Sequence, residues 1–352
     1  MRDCDKYIKE FHNSHVKLLE SQKKNMRERR DANRSRLEKG LEKLEIEFLK
    51  FVPQGSYAMH TMIQDDENDY DIDDGIVFDR ECLVGEKGGE YTSRKCRELV
   101  YDVICADKSA GFSKPPEILK NCVRVYYNDG AHVDIPSYRQ NEDGSYEIAS
   151  SEWETSDPEA VTEWYNSAVM DKSPELTGSR QMRRITLLLK KFSKSRGSWK
   201  TKMPSGFVIS TLVDECFVSD DRDDVSLYET MSSISIRLNL NKTVYNPINI
   251  TQTISSSSDT QFFFEKLSSF ISELDCLFDS SCVEETALKA WNKVFKQDYF
   301  LDKIAEAQEK SKTADLVKTG NFSQALGSIV GATSSSALGA TVIKNTRAYG
   351  ED

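Results

Sequence analysis

The chain has 352 residues, of which 38% are hydrophobic and 10% aromatic, enough apolar side chain for a large core. Lys and Arg total 47 and Asp and Glu total 58, a net charge of −11 that repels a nucleic-acid duplex as a whole. This charge favours small nucleotides over long polymers as ligands. The cysteines form no CxxC pair and the histidines no HExxH motif, which argues against a zinc site and favours a reducing compartment.

The beginning of the chain is charged from Arg2 onward and has no apolar segment of the signal-peptide type. No run of 18 apolar residues occurs, so the sequence predicts no membrane contact. We therefore expect a cytoplasmic protein.

The first predicted element is a helix from about Asp5 to Phe48, a stretch without Pro and with Gly only at Gly40. Ten basic and five acidic residues lie between Lys17 and Lys43. This face is either a solvated brace for the fold or a positive wall near a phosphate site.

A β-rich region follows Pro53. We predict strands ending at Ile76–Phe78, over 122–127 and over 131–135, with a hairpin turn at Asn128-Asp129-Gly130. A helix is predicted from Tyr91 to Ala110.

The second half is predicted to be mainly helical. One helix begins at Pro158 with Ser156 or Asp157 as its cap. Others are predicted over 181–195, from Pro204-Ser205-Gly206 to about 217, over 225–238 and over 260–278. The predicted fold class is therefore α+β. The predicted domains are a core lobe over 1–160, a helical lobe over 161–310 and a flexible tail over 311–352, rich in Gly, Ala, Ser and Thr from Thr319.

The most informative feature is an acidic run, because seven of the ten residues from Asp65 to Asp74 are acidic and none is basic. Residues i and i+2 of a strand share a face, so Asp71 and Asp73 project together while Ile72 faces the core. Paired carboxylates suit magnesium, and two such ions about 4 Å apart promote phosphoryl transfer. A calcium loop of the EF-hand type fails, because Asp74 would occupy the required Gly position and Arg80 that of the bidentate Glu.

A third carboxylate, Asp134, is the lone acid in the apolar strand pattern His132-Val133-Asp134-Ile135-Pro136. A charge there is costly without a partner, and a metal would supply one. We predict that Asp71, Asp73 and Asp134 are the metal ligands and catalytic carboxylates. Gly55-Ser56 precedes the first pair by fourteen residues and suits a turn whose N–H groups and hydroxyl bind phosphates.

These residues resemble those of the cGAS/DncV-like nucleotidyltransferases, bacterial enzymes that make cyclic oligonucleotide signals in anti-phage (CBASS) defence. The resemblance covers about residues 45 to 300 and rests on a few short motifs, listed here: Gln54-Gly55-Ser56-Tyr57, Asp71-Ile72-Asp73-Asp74-Gly75, His132-Val133-Asp134-Ile135-Pro136, the segment from Trp153 to Pro158, Trp164, Lys190 and Pro204-Ser205-Gly206.

The resemblance implies a polymerase-beta-like sheet and a helical lobe with the active site in the cleft between them. It implies two Mg²⁺ ions, for which Mn²⁺ substitutes, and ribonucleoside triphosphates as substrates, ATP among them. The nucleotide-binding residues would be Gln54, Gly55, Ser56, Tyr57, Lys190 and Ser205. Each of the last three has a structural alternative: a packed tyrosine, a solvated helix lysine and a plain helix cap.

No Cys/His zinc insert of the kind that the animal double-stranded-DNA sensor uses is present, so no requirement for duplex DNA is expected. The expected activity is the joining of ribonucleoside triphosphates into a cyclic di- or trinucleotide with release of pyrophosphate. Two alternatives stay open: a linear nucleotidyltransferase acting on RNA, a small molecule or a protein, and a non-catalytic binding module. The tail after Thr319 is either disordered or a docking site for an accessory regulatory protein.

Overall fold

The computed structural model describes residues 1–65, 70–85, 88–107, 111–175 and 179–318. Within these ranges the chain forms two compact units, one of residues 5–271 and one that combines residues 1–4 with the chain from 272 onward. The division falls inside helix α9 (Ser257–Leu274). The predicted lobe boundary at 160/161 lies inside the larger unit and stays a prediction.

The larger unit is built on one mixed sheet of eight described strands. The strands are β1 (Lys50–Gln54), β2 (Asp71–Asp79), β3 (Glu117–Ile118), β4 (Val123–Tyr126), β5 (His132–Ile135), β6 (Ser137–Gln140), β7 (Tyr146–Ala149) and β8 (Trp153–Thr155). Their order is β3-β4-β5-β2-β6-β7-β8, and β1 pairs antiparallel with β2. The strands predicted around Phe78, Val125 and Val133 are confirmed, as is the α+β class.

Strand β2 is the centre of this arrangement. One edge of it pairs with β1, and the other pairs in parallel with β5 at its beginning and with β6 at its end. Pro136 separates β5 from β6, and its carbonyl accepts a hydrogen bond from Ile76 N at 2.9 Å. The register places Asp73 opposite Gln54 on one side and Asp134 on the other.

The larger unit also has nine described α-helices, two of which, α2 and α4, cover one face of the sheet. The helices of the larger unit are α1 (Asp5–Phe11), α2 (Glu20–Lys43), α3 (Gly55–Ala58), α4 (Ser93–Ala106), α5 (Pro158–Lys172), α6 (Gln181–Ser193), α7 (Gly206–Cys216), α8 (Asp223–Leu240) and α9. Apolar residues of α2 and α4, such as Leu37 and Val100, form one core cluster with Ile72, Val125 and Val133. The alternation along β2 therefore turns Asp71 and Asp73 away from this core.

The prediction of one continuous first helix is wrong, because the helix is interrupted before Glu20. A π-helical turn (His12–Val16) ends at Lys17, and Leu19 is extended. The carbonyls of Val16 and Lys17 accept hydrogen bonds from Gln64, so distant backbone competes with the helix at this point. The helix also ends at Lys43 rather than Phe48.

Other predicted boundaries are close to those observed. Asp157 caps α5, accepting from Ala160 N at 2.9 Å, and the apolar side chains of α6, such as Met182 and Ile185, are buried. The predicted helix to Ala110 ends at Ala106, and residues 108–110 lie outside the described part of the chain. The helix predicted over 260–278 ends at Leu274 and gives way to a 3₁₀ turn (Asp275–Phe278).

The smaller unit contains that 3₁₀ turn, α10 (Glu284–Phe295) and α11 (Asp298–Lys318). Trp291 and Phe295 stack with ring centroids 6.1 Å apart, and Phe295 stacks on Phe300 at 5.7 Å. Residues 311–318, predicted as the start of a flexible tail, are helical. The rest of the predicted tail, including everything after Thr319, lies outside the described residues. No described helix is long and apolar enough to cross a membrane.

Candidate active site

Three side chains converge on the sheet face opposite the α2–α4 core. One ligand atom each from Asp71, His132 and Asp134 lies within 4.8 Å of the other two. The parallel register explains this, because Asp71 lies beside His132 and Asp73 beside Asp134. The structure thus brings two of the three predicted metal ligands together and adds a histidine.

The donor set of this cluster fits a divalent cation. Asp71 Oδ1 is buried and accepts no hydrogen bond from a described residue, although His132 Nε2 lies 3.3 Å away. A buried carboxylate oxygen without a donor is unfavourable, and a cation would satisfy it. The residues present therefore fit a metal ion.

Asp73 lies beside this cluster, close to the start of α3. Its Oδ2 lies so near Gly55 that a Cβ on Gly55 would overlap it, and Gly55 has a φ of +62°. Burial raises the pKa of the Asp73 carboxyl well above its usual value, and the charges of Asp71 and Asp134 raise it further. These causes all disfavour the bare carboxylate, which is the condition that a bound cation relieves.

Asp74 belongs to the other face of the sheet. It is 4% exposed and accepts two hydrogen bonds from Arg34 of α2, at 2.6 and 2.7 Å. The third acid of the Asp71–Gly75 motif therefore anchors α2 to the sheet. Part of the basic face of α2 is accordingly a structural brace.

Arg124 is a component of the site that the sequence did not indicate. It faces Asp134 across the β4–β5 pair and donates two hydrogen bonds to that carboxylate, both at 2.6 Å. Hydrogen bonding to Asp134 raises the pKa of Arg124 above its ordinary value. A period-2 pattern in β4 places Cys122, Arg124 and Tyr126 on one face, but only the register shows that this face is that of Asp134.

The predicted phosphate-binding turn is the start of α3. Ser56 is partly buried, and its hydroxyl makes no hydrogen bond to a described residue, whereas Ser56 O accepts from Thr61 N at 2.8 Å. The Tyr57 hydroxyl accepts from Arg30 Nη1 at 3.1 Å, and its ring packs against the core cluster. Tyr57 is therefore at least in part a packed residue.

Lys190 and Ser205 lie together. Lys190 is 7% exposed, and its Nζ donates to Thr61 Oγ1 at 2.7 Å and Thr61 O at 3.1 Å. A Cβ on Gly206 would lie 3.1 Å from the same Nζ. Ser205 Oγ accepts from Val208 N at 3.3 Å, so Ser205 caps α7.

The ammonium of Lys190 has no carboxylate partner among the described residues. Burial and, to a smaller extent, the charge of Lys194 lower its pKa to about 7. A solvated helix lysine, the alternative considered from the sequence, is therefore wrong. A buried cation with only neutral acceptors is an attractive site for an anion.

A mixed sheet that presents carboxylates from adjacent strands beside a Gly-Ser turn is the arrangement that the resemblance implies, that of a nucleotidyltransferase of the polymerase-beta type. Residues 49–138 match the family described as Cyclic GMP-AMP synthase DncV-like, nucleotidyltransferase domain. The predicted resemblance to the cGAS/DncV-like nucleotidyltransferases is thus confirmed.

Comparison with individual proteins agrees with this assignment. The chain is 28% identical over 247 residues to a cyclic GMP-AMP synthase of Escherichia albertii, an alignment that covers 68% of this chain and 53% of the relative. The chain thus spans about half the length of this curated relative.

Solved structures show the same fold. The CD-NTase CdnG of Bradyrhizobium diazoefficiens in complex with GTP aligns with a TM-score of 0.68 at 15% identity, covering 87% of this chain and 99% of that one. CdnC of Escherichia coli with ATP aligns with a TM-score of 0.62 at 15% identity, over 84% and 98% of the chains. DncV of Escherichia coli in its 3′-deoxy GTP bound form aligns with a TM-score of 0.61 at 18% identity, covering 82% of this chain and 94% of that one.

Proposed function

We propose that the chain is a cyclic oligonucleotide synthase, which joins ribonucleoside triphosphates into a cyclic di- or trinucleotide and releases pyrophosphate. The observation that carries this proposal is the convergence of Asp71, His132 and Asp134, with Asp73 between this cluster and Gly55. The relatives named for bound GTP or ATP, and for cyclic GMP-AMP synthesis, support the substrate class.

Two divalent ions, Mg²⁺ or Mn²⁺, would bind at the carboxylates and would neutralise the charge of the triphosphate and of the leaving pyrophosphate. Asp71 and Asp73 would hold them, and the geometry adds His132 as a candidate ligand. Asp134, held in place by Arg124, would orient the attacking 2′- or 3′-hydroxyl. The hydroxyl oxygen forms a bond to the α-phosphorus, the bond from that phosphorus to the pyrophosphate breaks, and the hydroxyl proton leaves toward Asp134.

The other predicted residues would act on the donor nucleotide. Gln54, Gly55 and Ser56 would contact its triphosphate, with the free Ser56 hydroxyl as a donor. Lys190 would move from Thr61 to the phosphates, which would provide the negative charge that no described residue gives it. Ser205, beside this lysine, would contribute from the α7 start, and Tyr57 would contact a base with its exposed edge.

The setting that we propose is bacterial anti-phage defence in the cytoplasm, where ribonucleoside triphosphates are abundant. A relative, CdnC of Escherichia coli, has been solved as a complex named CdnC:HORMA-deltaN. We propose by analogy that an accessory protein regulates this chain, with the segment after Thr319 as a candidate docking site. Neither duplex DNA nor a membrane is part of the proposal.

The test is incubation with all four radiolabelled ribonucleoside triphosphates and Mg²⁺ or Mn²⁺, followed by phosphatase and product separation. A phosphatase-resistant product that Asp73→Asn loses would support the cyclic synthase. Asp102→Asn is the matched control, because Asp102 is exposed on α4, and it should retain full activity.

The same experiment separates the alternatives. Pyrophosphate release with only phosphatase-sensitive products would show a linear nucleotidyltransferase. Full activity of Asp73→Asn would refute the assignment of the carboxylates. Tight nucleotide binding without turnover in either metal would indicate a binding module.

A further inference from the structure

Gly75, the last residue of the acidic motif, occupies a place where a side chain would not fit. Its backbone is in β2 rather than in a turn, so the requirement is steric and not conformational. A Cβ on Gly75 would lie 2.9 Å from Tyr138 Cε2 and 3.3 Å from Gln54 Oε1. The missing side chain thus leaves room for Tyr138 and Gln54 to meet across β2.

Tyr138 is fixed in this space. It is 1% exposed and packs with Val52 and Val77 in a small apolar cluster of its own. Its hydroxyl donates a hydrogen bond to Gln54 Oε1 at 2.8 Å. Burial raises the pKa of Tyr138 above its ordinary value, so the phenol keeps its proton and stays a donor.

This contact determines which end of the Gln54 amide remains available. Because Oε1 accepts from Tyr138, the Nε2 amide group remains available as a donor, and it donates to no described residue. Gln54 directly precedes Gly55 and lies opposite Asp73 in the β1–β2 register. The free donor therefore belongs to the residue that leads into the phosphate-binding turn.

We propose that Tyr138, in the space left by Gly75, positions Gln54 so that its Nε2 amine donates to the triphosphate of the donor nucleotide. This inference rests on the proposed function and deepens it. Without the hydrogen bond from Tyr138, the side-chain amide of Gln54 can rotate by 180°. The rotated amide would point its carbonyl oxygen at the phosphate oxygens, and two acceptors repel each other. Tyr138 is a positioning residue, since it acts through Gln54.

The experiment compares four variants with the wild type in binding α,β-methylene ATP with Mg²⁺, by titration calorimetry. Gln54→Ala should weaken binding about tenfold, the effect of one hydrogen bond to a charged group. Tyr138→Phe should lose roughly a third to a half of the binding free energy that Gln54→Ala loses, which weakens binding about threefold. The double variant should bind like Gln54→Ala alone, because Tyr138 acts only through the amide.

Tyr165→Phe is the matched control. Tyr165 is fully buried, and its hydroxyl donates to Thr186 Oγ1 at 2.9 Å, so this variant loses an equivalent hydroxyl elsewhere. Its affinity for the nucleotide should equal that of the wild type. If Tyr138→Phe and Tyr165→Phe lower the unfolding temperature alike but only the first weakens binding, the effect of Tyr138 is one of positioning.

Three results would overturn the inference. Tyr138→Phe could leave the nucleotide affinity unchanged, or it could lower the affinity of Gln54→Ala as much as it lowers that of the wild type. Tyr165→Phe could also lower the affinity as much as Tyr138→Phe does. A nucleotide-free measurement is the exchange rate of the ¹⁵N-labelled Gln54 side-chain amide protons. It should differ between wild type and Tyr138→Phe, and an identical spectrum would also count against positioning. A wild type that binds no nucleotide would instead refute the proposed function, and with it the donor role of Gln54.

Discussion

Replacing Lys190 with Met should stabilise the protein while it abolishes nucleotide binding. The lysine is 7% exposed, has no carboxylate partner among the described residues, and has a pKa lowered to about 7 by burial. In the unfolded chain a lysine titrates near 10.4. Between these two values the unfolded state binds more protons than the folded state, so the stability contributed at this position falls as the pH falls from about 10 to 7.

The difference between the folded and unfolded pKa values of Lys190 gives the size of its effect on the free energy of unfolding. The penalty for Lys190 is about 4 kcal/mol at pH 7 and about 2 kcal/mol at pH 9. Methionine removes this penalty but also removes two hydrogen bonds to Thr61, worth about 1 kcal/mol each. We therefore expect Lys190→Met to be more stable by about 2 kcal/mol at pH 7, which is about 3 °C in unfolding temperature, and nearly unchanged at pH 9.

The assay is urea unfolding at pH 7 and pH 9, together with titration of ATP and Mg²⁺. Lys39→Met is the control: Lys39 is exposed on α2, so its replacement should change stability by less than about 0.5 kcal/mol at either pH. A Lys190→Met variant that is less stable than wild type at pH 7 would refute the reasoning. So would a stability difference that does not shrink at pH 9, or nucleotide binding of wild-type strength.

Three further predictions concern the sheet face and its support. Gly55→Ala should lose more than tenfold in activity, because the φ of +62° is strained for alanine and the added Cβ would overlap the Asp73 carboxylate. The control is Gly111→Ala, which has a φ of +63° but no neighbour within 4 Å and should lose stability only. Equal activity of the two variants would contradict this prediction. Arg34→Met should lower the free energy of unfolding by about 3 kcal/mol, measured in urea, because it leaves Asp74 buried without its partner; a loss below about 1 kcal/mol would show that Asp74 tolerates isolation. Mn²⁺ bound to the wild type should show nitrogen coupling in pulsed EPR that His132→Gln lacks, and no nitrogen signal in the wild type would remove His132 from the ligand set.

The acidic strand pair could be predicted from the sequence because the necessary information is local. A period-2 alternation places Asp71 and Asp73 on one face whatever the rest of the chain does. A single acid in an apolar strand, Asp134, indicates a partner because an unpaired buried charge is costly. The hairpin turn before it also depends on local preferences, and Gly130 has the positive φ that such a turn needs.

The partners of these carboxylates could not be predicted in the same way. Arg124 is ten residues from Asp134 and Arg34 is forty from Asp74, and each pair exists only through strand register or helix packing. The interruption before Glu20 has the same origin, because Gln64 draws the backbone of Lys17 out of the helix. Local propensity favours a continuous helix there, and a tertiary contact overrides it.

Lys190 shows how the two kinds of information combine. The sequence predicts a helix over 181–195, and on that basis Lys190 is as easily a solvated residue as a ligand. The structure buries its ammonium against Thr61 and Gly206, and no described carboxylate pairs with it, which a solvated role does not explain. A protein gains nothing in stability from such a group, so its presence is best understood as the free-energy cost of a site prepared for an anion.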